Sequence, residues 1–499
     1  RTSLHLHGFE QPLQVVHRWA EIPLEVGTGS DPPSAEALLA AERARGFDPQ
    51  QAPLIRLKAY RLDERRVRLV VCEHHAILDG WSAASFLTEL LRLYHDLASG
   101  ASATPPEAPP VGMRRAVELE RAALADPASA EYWRERLSGA PVAALPAAPA
   151  GAPAGEGREL PIELSDSIAR AVRELAVELA VPVRTVLLTA HLRCLAEAGG
   201  ATDVVTGLVT HGRPEEEGGE RALGLFLNTV PFPLRLRTES WRDLIARVHA
   251  AEGEMIPHRR FPLAELVRRR GGLLFDNVFN FVHFHVQREA EKVAGFEVLA
   301  ASGEETNELP LSATFRSQIS GSGLSGELAV DGKTLDSLQA EALAALYPRV
   351  LAAMTDDPAG RHDRFESGTA QLFSVGDDSV VPWRARLDAP ADERPEEPAV
   401  APRRTPPAND SERQVAEVFS ELLGVAEVAA EDDFFRLGGH SLLAGRAAAL
   451  LRERMGVDLT LGELLASPTV RAIARAADRR REESVPAGAQ EEDWEEVEI

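Results

Sequence analysis

Several features are scarce in this 499-residue sequence, and each scarcity argues against a class of protein. The only two cysteines, Cys72 and Cys194, lie far apart with no pairing pattern, so the sequence predicts no disulfide framework. There is no run of eighteen apolar residues, and the start lacks the basic and then apolar pattern of a signal segment. We therefore expect a protein of the reducing cytoplasm that is not embedded in a membrane.

Positive charge is also scarce. The chain has 54 Lys and Arg residues against 78 Asp and Glu residues, which gives a formal net charge of -24. Nucleic acids and anionic membranes require clustered positive charge, so we expect neither as a partner and instead expect neutral or basic proteins. A hydrophobic content of 44% is typical of globular proteins, and the length is sufficient for two or three domains.

The strongest local pattern is a corner between a strand and a helix. The β-prone run from Val67 to Cys72 predicts a strand, and apolar residues at helical spacing follow Ser82. The segment from His74 to Gly80 lies between them and ends in Asp-Gly, which favours a tight turn. We expect Ser82 to cap the helix, so that the two histidines are held on a rigid corner.

The segment from His74 to Gly80 reads His-His-x-x-x-Asp-Gly, which resembles the motif of condensation domains of nonribosomal peptide synthetases, relatives of chloramphenicol acetyltransferase. The resemblance continues in four later segments: Gly212 to Pro214, Gly224 to Pro231, Pro257 to Pro262, and Phe275 to Phe281. It implies a two-lobed α/β fold of the chloramphenicol acetyltransferase type. Taken by themselves, these later segments are mostly glycine and proline turns beside strands.

The resemblance also implies roles for the motif residues. His75 corresponds to the catalytic histidine of the family. His74, one residue earlier, is expected to point to the opposite face and to be structural. Asp79 is expected to fix the corner through an ion pair, and Gly80 to let the substrate approach closely.

The first residues, Arg1-Thr2, resemble a segment that condensation domains carry some way into their first lobe. We therefore expect the condensation domain to be N-terminally truncated here. In the family, the arginine that pairs with the motif aspartate precedes this segment and would fall outside the chain, so Asp79 would need another partner.

A second resemblance lies near the C-terminus. Ser411 and Gln414 predict a capping box at the start of a helical domain. Two glycines precede Ser441 in the run from Asp432 to Leu443, which resembles the four-helix peptidyl carrier domain and implies that Ser441 carries 4'-phosphopantetheine. A phosphodiester at that position would gain from the amides of a helix N-terminus.

These patterns predict the domain organisation. The expected parts are a condensation domain at 1–375 with lobes at 1–155 and 156–375, a linker at 376–408, a carrier domain at 409–482 and an acidic tail at 483–499. The tail could be disordered or could dock on another part of a synthetase. The histidine pairs at His5 and His7 and at His283 and His285 have no third ligand nearby, so no metal site is predicted.

The resemblance implies that the protein forms an amide bond between a donor acyl thioester and an acceptor aminoacyl thioester. Its expected partners are an upstream donor carrier protein, an adenylation domain acting in trans and a phosphopantetheinyl transferase. Three alternatives stay open: an epimerisation domain, which the order Trp81 before Ser82 disfavours, a freestanding acyltransferase, and an inactive docking module. His74 and His75 argue against a heterocyclisation domain, which has aspartates there.

Overall fold

The computed structural model describes most of the chain. The described residues are 1–5, 9, 13–27, 33–102, 104, 107–142, 144–145, 157–283, 299, 309–317, 323–366, 368, 373, 405–423, 425, 427–432, 434, 437, 441–457 and 469–484. They divide into two compact units. Described residues of Arg1–Leu4, Gln14–Leu266 and Leu274–Arg394 form the first unit, and those of His5–Leu13, Val267–Leu273 and Pro395–Ile499 form the second.

The N-terminal part of the first unit is built on short strands and two principal helices. Its elements are β1 (Thr2–His5), β2 (Leu13–Val16), β3 (Leu24–Gly27), α1 (Ala35–Arg45), β4 (Ile55–Arg61), β5 (Val67–Glu73) and α2 (Gly80–Ala98). Strands β1 and β2 pair with each other, and β3, β4 and β5 form a three-stranded sheet in that order. Strand β3 is parallel to β4, whereas β4 and β5 are antiparallel.

The C-terminal part of the first unit is built on a mixed sheet and the helices that cover it, and the helix at 263–270 continues into the second unit at Val267. Its elements are α3 (Met113–Ala125), α4 (Pro127–Leu137), β6 (Arg158–Ile162), α5 (Asp166–Glu178), α6 (Val183–Gly199), β7 (Asp203–His211), β8 (Leu227–Arg235), α7 (Trp241–Met255), α8 (Leu263–Arg270), β9 (Asn277–His283), β10 (Leu311–Ser317), β11 (Leu324–Val330) and α9 (Ser337–Asp356). The sheet order is β6-β11-β10-β9-β7-β8, with β9 parallel to both β7 and β10. The parallel strands β7 and β9 require a crossover connection, and α7 and α8 lie in it.

Helix α6 is the centre of this core. Every residue from Thr185 to Ala198 is buried, and α6 packs against α5, α7 and α9. A helix that is buried on all sides has to satisfy its polar groups internally. His191 therefore bonds Tyr347 at 2.8 Å and Thr206 at 3.0 Å, and Arg193 pairs with Glu197 at 2.9 Å.

From residue 405 onward, the described part of the second unit is helical. Its helices are α10 (Asp410–Leu423), α11 (Ser441–Met455) and α12 (Val470–Ser484), and α10 packs against both of the others. Their apolar faces enclose one core in which Phe419 and Phe434 meet edge to face, with ring centroids 4.8 Å apart. Apolar residues at helical spacing thus form the buried face of a small helical domain.

The prediction that Ser411 and Gln414 form a capping box at the start of α10 is wrong. The side chain of Asn409 accepts the Glu412 amide at 2.8 Å, while the Ser411 hydroxyl donates to Asp478 at 2.6 Å. Asn409 is therefore the cap, because the tertiary contact with Asp478 occupies Ser411. Among the described helices, none is by itself long and apolar enough to span a membrane. Helices α5 and α6 pass such a test only as a pair, and the bend between them is 111°.

Candidate active site

The two motif histidines lie in a turn directly after β5. The His74 amide donates to the Leu54 carbonyl at 3.0 Å, and the Ile77 amide then donates to the His74 carbonyl at 3.0 Å. The ladder with β4 ends at Glu73, so both histidines are outside the strand. The prediction for His74 assumed that both histidines lie in a strand, where successive side chains point to opposite faces. Because they lie outside the strand, that alternation does not set the directions of their side chains.

The surroundings of the two imidazoles differ. His75 is exposed, whereas His74 is half-buried and meets the Phe47 ring edge to face with centroids 6.3 Å apart. The Nδ1 atom of His74 accepts the Ala76 amide at 3.2 Å. Burial, and then the neighbouring His75, lower the pKa of His74. His74 thus accepts a hydrogen bond that supports the turn, while His75 is exposed.

Asp79 holds the corner from inside and begins helix α2. Its Oδ1 atom accepts the Ser82 amide at 2.7 Å, and its backbone carbonyl accepts the Ala83 amide at 2.8 Å. Asp79 is therefore the N-cap residue, and the expectation that Ser82 caps the helix is wrong. The helix starts at Gly80 because the Asp79 carboxylate bonds the free amide of Ser82, and Ser82 itself lies within the first turn.

The hydroxyl of Ser82 has a different partner. It donates to the Gly224 carbonyl at 2.9 Å and accepts the Gly224 amide at 3.1 Å. The Asp79 amide also donates to the Gly224 carbonyl, at 3.0 Å, and Asp79 Oδ2 accepts the Phe226 amide at 3.1 Å. Four hydrogen bonds thus attach the loop before β8 to the corner that presents His75.

Arg213 supplies the positive charge that Asp79 needs. Its Nη2 atom lies 3.0 Å from Asp79 Oδ1, 3.2 Å from Oδ2 and 3.0 Å from the Ser82 hydroxyl. The side chains of Arg213 and Asp79 are only 8% and 3% exposed. A buried carboxylate without such a partner would carry a large desolvation cost.

Two aromatic rings enclose the Arg213 guanidinium. Its central carbon lies 4.3 Å from the Phe226 ring centroid and 5.2 Å from that of Trp81. The Trp81 ring is fixed in turn by its Nε1 atom, which donates to the Glu220 carbonyl at 3.0 Å. Burial lowers the pKa of Arg213, and the Asp79 carboxylate opposes this effect. Guanidinium stacking on aromatic faces keeps the pair in place.

Gly80 leaves open space beside the turn. A Cβ atom built at this position would meet nothing within 4 Å. Neither a positive φ nor tight packing therefore explains a glycine here. The backbone at the start of α2 is therefore open on this side.

Ser441 is the first residue of α11 in the second unit. The preceding Gly438, Gly439 and His440 lie outside the described residues. The first amides of a helix have no partner within the helix and carry partial positive charge.

No group of three or more potential metal ligands occurs among the residues that the structure describes. Of the histidine pairs considered for metal binding, His7 and His285 lie outside that part of the chain.

Comparison with known proteins decides the family. The family model described as the condensation domain matches residues 1–367. The chain belongs to the condensation domain family. A second family, the phosphopantetheine attachment site, matches residues 413–477, and domains of this family carry covalent 4'-phosphopantetheine on a serine.

Two similar proteins are large synthetases. This condensation and carrier chain is 36% identical over 488 residues to the AMB antimetabolite synthetase AmbE of Pseudomonas aeruginosa, an overlap of 95% of the chain and 21% of AmbE. It is 29% identical over 313 residues to bacitracin synthase 3 of Bacillus licheniformis, an overlap of 59% of the chain and 5% of that synthase. The chain thus spans only a small part of the length of these relatives.

A solved structure confirms the fold. The condensation domain of the monacolin K polyketide synthase MokA superposes with a TM-score of 0.61 at 17% identity, over 72% of this chain and 86% of that one. The predicted chloramphenicol acetyltransferase-like condensation domain, followed by a small helical carrier domain, is therefore confirmed.

Sequence reasoning missed the role of Arg213. Taken by itself, the segment from Gly212 to Pro214 predicts only a structural turn, and the family resemblance places the partner of Asp79 outside the chain. A signal was available, because an aspartate predicted at a buried corner requires a cation, and an arginine set between glycine and proline after a strand is one candidate.

Proposed function

We propose that this protein forms an amide bond between a donor acyl or peptidyl thioester and an acceptor aminoacyl thioester. The observation that supports it is an exposed imidazole, His75, on a corner fixed by the buried Asp79–Arg213 pair. The same chain carries a phosphopantetheine attachment domain. Amide synthesis from thioesters needs both a residue that handles the proton and a means of holding two substrates together.

His75 acts at the reacting atoms. The acceptor amine attacks the thioester carbonyl, a carbon–nitrogen bond forms, and the carbon–sulfur bond breaks to release a thiol. The proton lost by the amine passes by way of His75, or His75 stabilises the charged tetrahedral intermediate, since an imidazole suits either role near neutral pH. His74 supports the turn, Asp79 fixes the corner, and Gly80 leaves room for the substrate.

Ser441 is the residue that we propose for attachment of 4'-phosphopantetheine, which supplies the thiol that bears the substrate as a thioester. An upstream donor carrier would deliver the second substrate, and an adenylation domain acting in trans would load the acceptor amino acid. A phosphopantetheinyl transferase would modify Ser441. We place the protein in the cytoplasm, where these partners would act, with no role for nucleic acids or membranes.

The domain boundaries that we propose are those predicted from the sequence. They are 1–375 for the condensation domain, with lobes at 1–155 and 156–375, 376–408 for the linker, 409–482 for the carrier and 483–499 for the acidic tail. The matches at 1–367 and 413–477 support the order of the domains.

Replacement of His75 tests the catalytic claim. With both carriers loaded, we expect His75→Ala to lose amide formation by a factor of about 10² to 10⁴, the usual contribution of a positioned proton-transfer group. The product is measured by mass spectrometry after release of the thioesters. His249→Ala, at an exposed histidine of α7, is the matched control. Full activity of His75→Ala would reject the assignment.

Attachment at Ser441 is tested separately by intact mass. Incubation with coenzyme A and a phosphopantetheinyl transferase should add one phosphopantetheine to the wild-type chain and none to Ser441→Ala. Ser420→Ala, on α10, should be modified like the wild type. Modification of the Ser441→Ala chain would show that another residue is the attachment site.

A further inference from the structure

Two adjacent arginines converge on one carboxylate close to the corner described above. Arg259 and Arg260 follow α7, and both reach Glu215 on the loop after β7. Arg259 Nη2 forms a short ion pair with Glu215 Oε1, and Arg260 Nη2 lies 3.7 Å from Oε2. We call these two arginine side chains the Arg259–Arg260 cradle.

Backbone carbonyls fix both guanidinium groups in the cradle. Arg259 donates through Nε to the His211 carbonyl at 3.1 Å and through Nη1 to the Ile256 carbonyl at 2.8 Å. Arg260 donates through Nε to the Gly212 carbonyl at 3.4 Å and through Nη2 to the Arg213 carbonyl at 3.3 Å. The arginines are held by the fold and do not depend on Glu215 for their positions.

Glu215 is held much less firmly than the arginines. Its side chain is 66% exposed, whereas those of Arg259 and Arg260 are 11% and 20% exposed. An exposed ion pair contributes little to stability, so an external anion can displace this carboxylate at small cost. The cradle is thus a preformed anion site that one of the chain's own carboxylates occupies.

The local charge favours an anion. Two guanidinium groups share one carboxylate, while the neighbouring Arg213 is neutralised by Asp79 and Arg115 pairs with Glu216 at 2.6 Å. The pKa of Glu215 is lowered, first by Arg259. The pKa of Arg260 is lowered, first by burial and then by Arg259, so the two positive charges repel each other. An anion between the two arginines, whether the Glu215 carboxylate or a phosphate, offsets that repulsion.

We propose that the Arg259–Arg260 cradle binds the phosphate group at the base of the phosphopantetheine arm that brings a substrate to His75, with Glu215 occupying the site when no arm is present. The proposal rests on the proposed function. Paired guanidinium forks match the tetrahedral oxygens of phosphate, which bind with better geometry than a single carboxylate. The site is also connected to the corner, since Arg260 contacts the carbonyl of Arg213, the residue that holds Asp79.

The test uses two soluble probes that differ only in the phosphate. Apo protein is titrated with 4'-phosphopantetheine and with pantetheine in a calorimeter, and the ratio of the two dissociation constants isolates the phosphate contribution. We expect a ratio of about ten or more in the wild type, a ratio near one in Arg260→Gln, and an intermediate ratio in Arg260→Lys. Glu215→Gln should raise the affinity for 4'-phosphopantetheine and leave the affinity for pantetheine unchanged.

The matched control is Arg114→Gln, which removes one positive charge from an arginine whose side chain is 94% exposed on α3. It should leave the ratio unchanged. Equal affinity of the wild type for the two probes, or an equal loss in Arg114→Gln and Arg260→Gln, would overturn the proposal. If Glu215→Gln leaves the affinity for 4'-phosphopantetheine unchanged, the claim that phosphate displaces Glu215 is wrong.

Kinetics separate this proposal from the proposed function. With phosphopantetheinyl thioester substrates, Arg260→Gln should raise KM about tenfold and leave kcat almost unchanged, while KM for pantetheinyl thioesters stays constant. If amide formation is intact but KM shifts equally for both substrates, the cradle does not bind phosphate and the proposed function stands. Thermal unfolding of each variant verifies that it is folded.

Discussion

The buried pair of Asp79 and Arg213 shows how one carboxylate can serve several elements at once. Asp79 caps α2, accepts the Phe226 amide and neutralises Arg213, and all of these bonds are shielded from water. A charge in this position is stabilising only while every partner is present. The corner that presents His75 therefore depends on the buried Asp79–Arg213 pair.

Removal of the Asp79 carboxylate should be costly. In Asp79→Ala, Arg213 stays buried without its counter-charge and α2 loses its cap, so we expect the free energy of unfolding to fall by about 3–5 kcal/mol. The measurement is urea denaturation followed by tryptophan fluorescence. Amide formation should decline as well, because the turn that presents His75 loses its support.

An exposed ion pair provides the comparison for this experiment. Arg158 and Glu341 pair at 3.2 Å with side chains 41% and 55% exposed. Because water screens such a pair, Glu341→Ala should leave the urea midpoint almost unchanged. Similar losses in Glu341→Ala and Asp79→Ala would contradict the importance assigned to burial of the Asp79–Arg213 pair.

Helix starts illustrate what decides structure at the scale of the element. A hydroxyl residue stands near the start of both α2 and α10, yet in each case a neighbouring Asp or Asn is the cap. Ser82 and Ser411 instead bond to Gly224 and Asp478, which are distant in sequence. Local cap propensity gives the approximate start, and competing long-range partners choose the residue.

The cap of α10 can be tested directly. Asn409→Ala should speed hydrogen exchange of the first-turn amides of α10 about fivefold, which corresponds to about 1 kcal/mol for the loss of a cap. Hydrogen exchange followed by mass spectrometry on the full chain measures this. Gln414→Ala should leave exchange unchanged, because its amide makes only a 3.5 Å contact with Asp410. Faster exchange in Gln414→Ala than in Asn409→Ala would instead support the capping box of Ser411 and Gln414 that the sequence predicts.

At the scale of the whole molecule, two buried histidines couple the stability of the first unit to pH. Burial lowers the pKa of His191 to about 4, and burial likewise lowers the pKa of His362 to about 4. His191 joins α6 to α9 through Tyr347, and His362 joins the segment after α9 to the Arg237 carbonyl at 2.7 Å. Both imidazoles are therefore neutral in the folded protein.

Acidification should destabilise this unit. Because the pKa of each histidine is lower in the folded than in the unfolded state, the unfolded state binds more protons between about pH 6.5 and pH 4. Stability is fully present above about pH 6.5 and falls as the pH drops through that range, by up to about 3 kcal/mol for each histidine. Urea denaturation at about pH 7, 6 and 5 measures the slope. His362→Gln should reduce the dependence of the free energy of unfolding on pH, whereas His249→Gln, at an exposed histidine, should not. The same pH dependence in both variants would show that His362 does not contribute to it.

The sequence by itself indicated several elements and the family to which the chain belongs. The apolar run from Val67 to Cys72 and the helical spacing after Ser82 were sufficient for β5 and α2, because each element carries its own apolar pattern. The His-His-x-x-x-Asp-Gly and Gly-Gly-His-Ser patterns are local, so His75 and Ser441 could be proposed as functional residues without a structure. The four-residue strands β2 and β3 were missed, because such short strands are fixed by the partner with which they pair and not by their own residues.

Only the tertiary structure decided which distant groups meet. Arg213 lies 134 residues from Asp79, and Glu215 lies 44 residues from Arg259. Nothing in the local sequence of either arginine specifies its acceptor, since many carboxylates in an acidic chain could serve. The choice is made when the chain packs, because burial removes water as the competing partner and leaves the Asp79 carboxylate within reach of Arg213 and the Glu215 carboxylate within reach of Arg259.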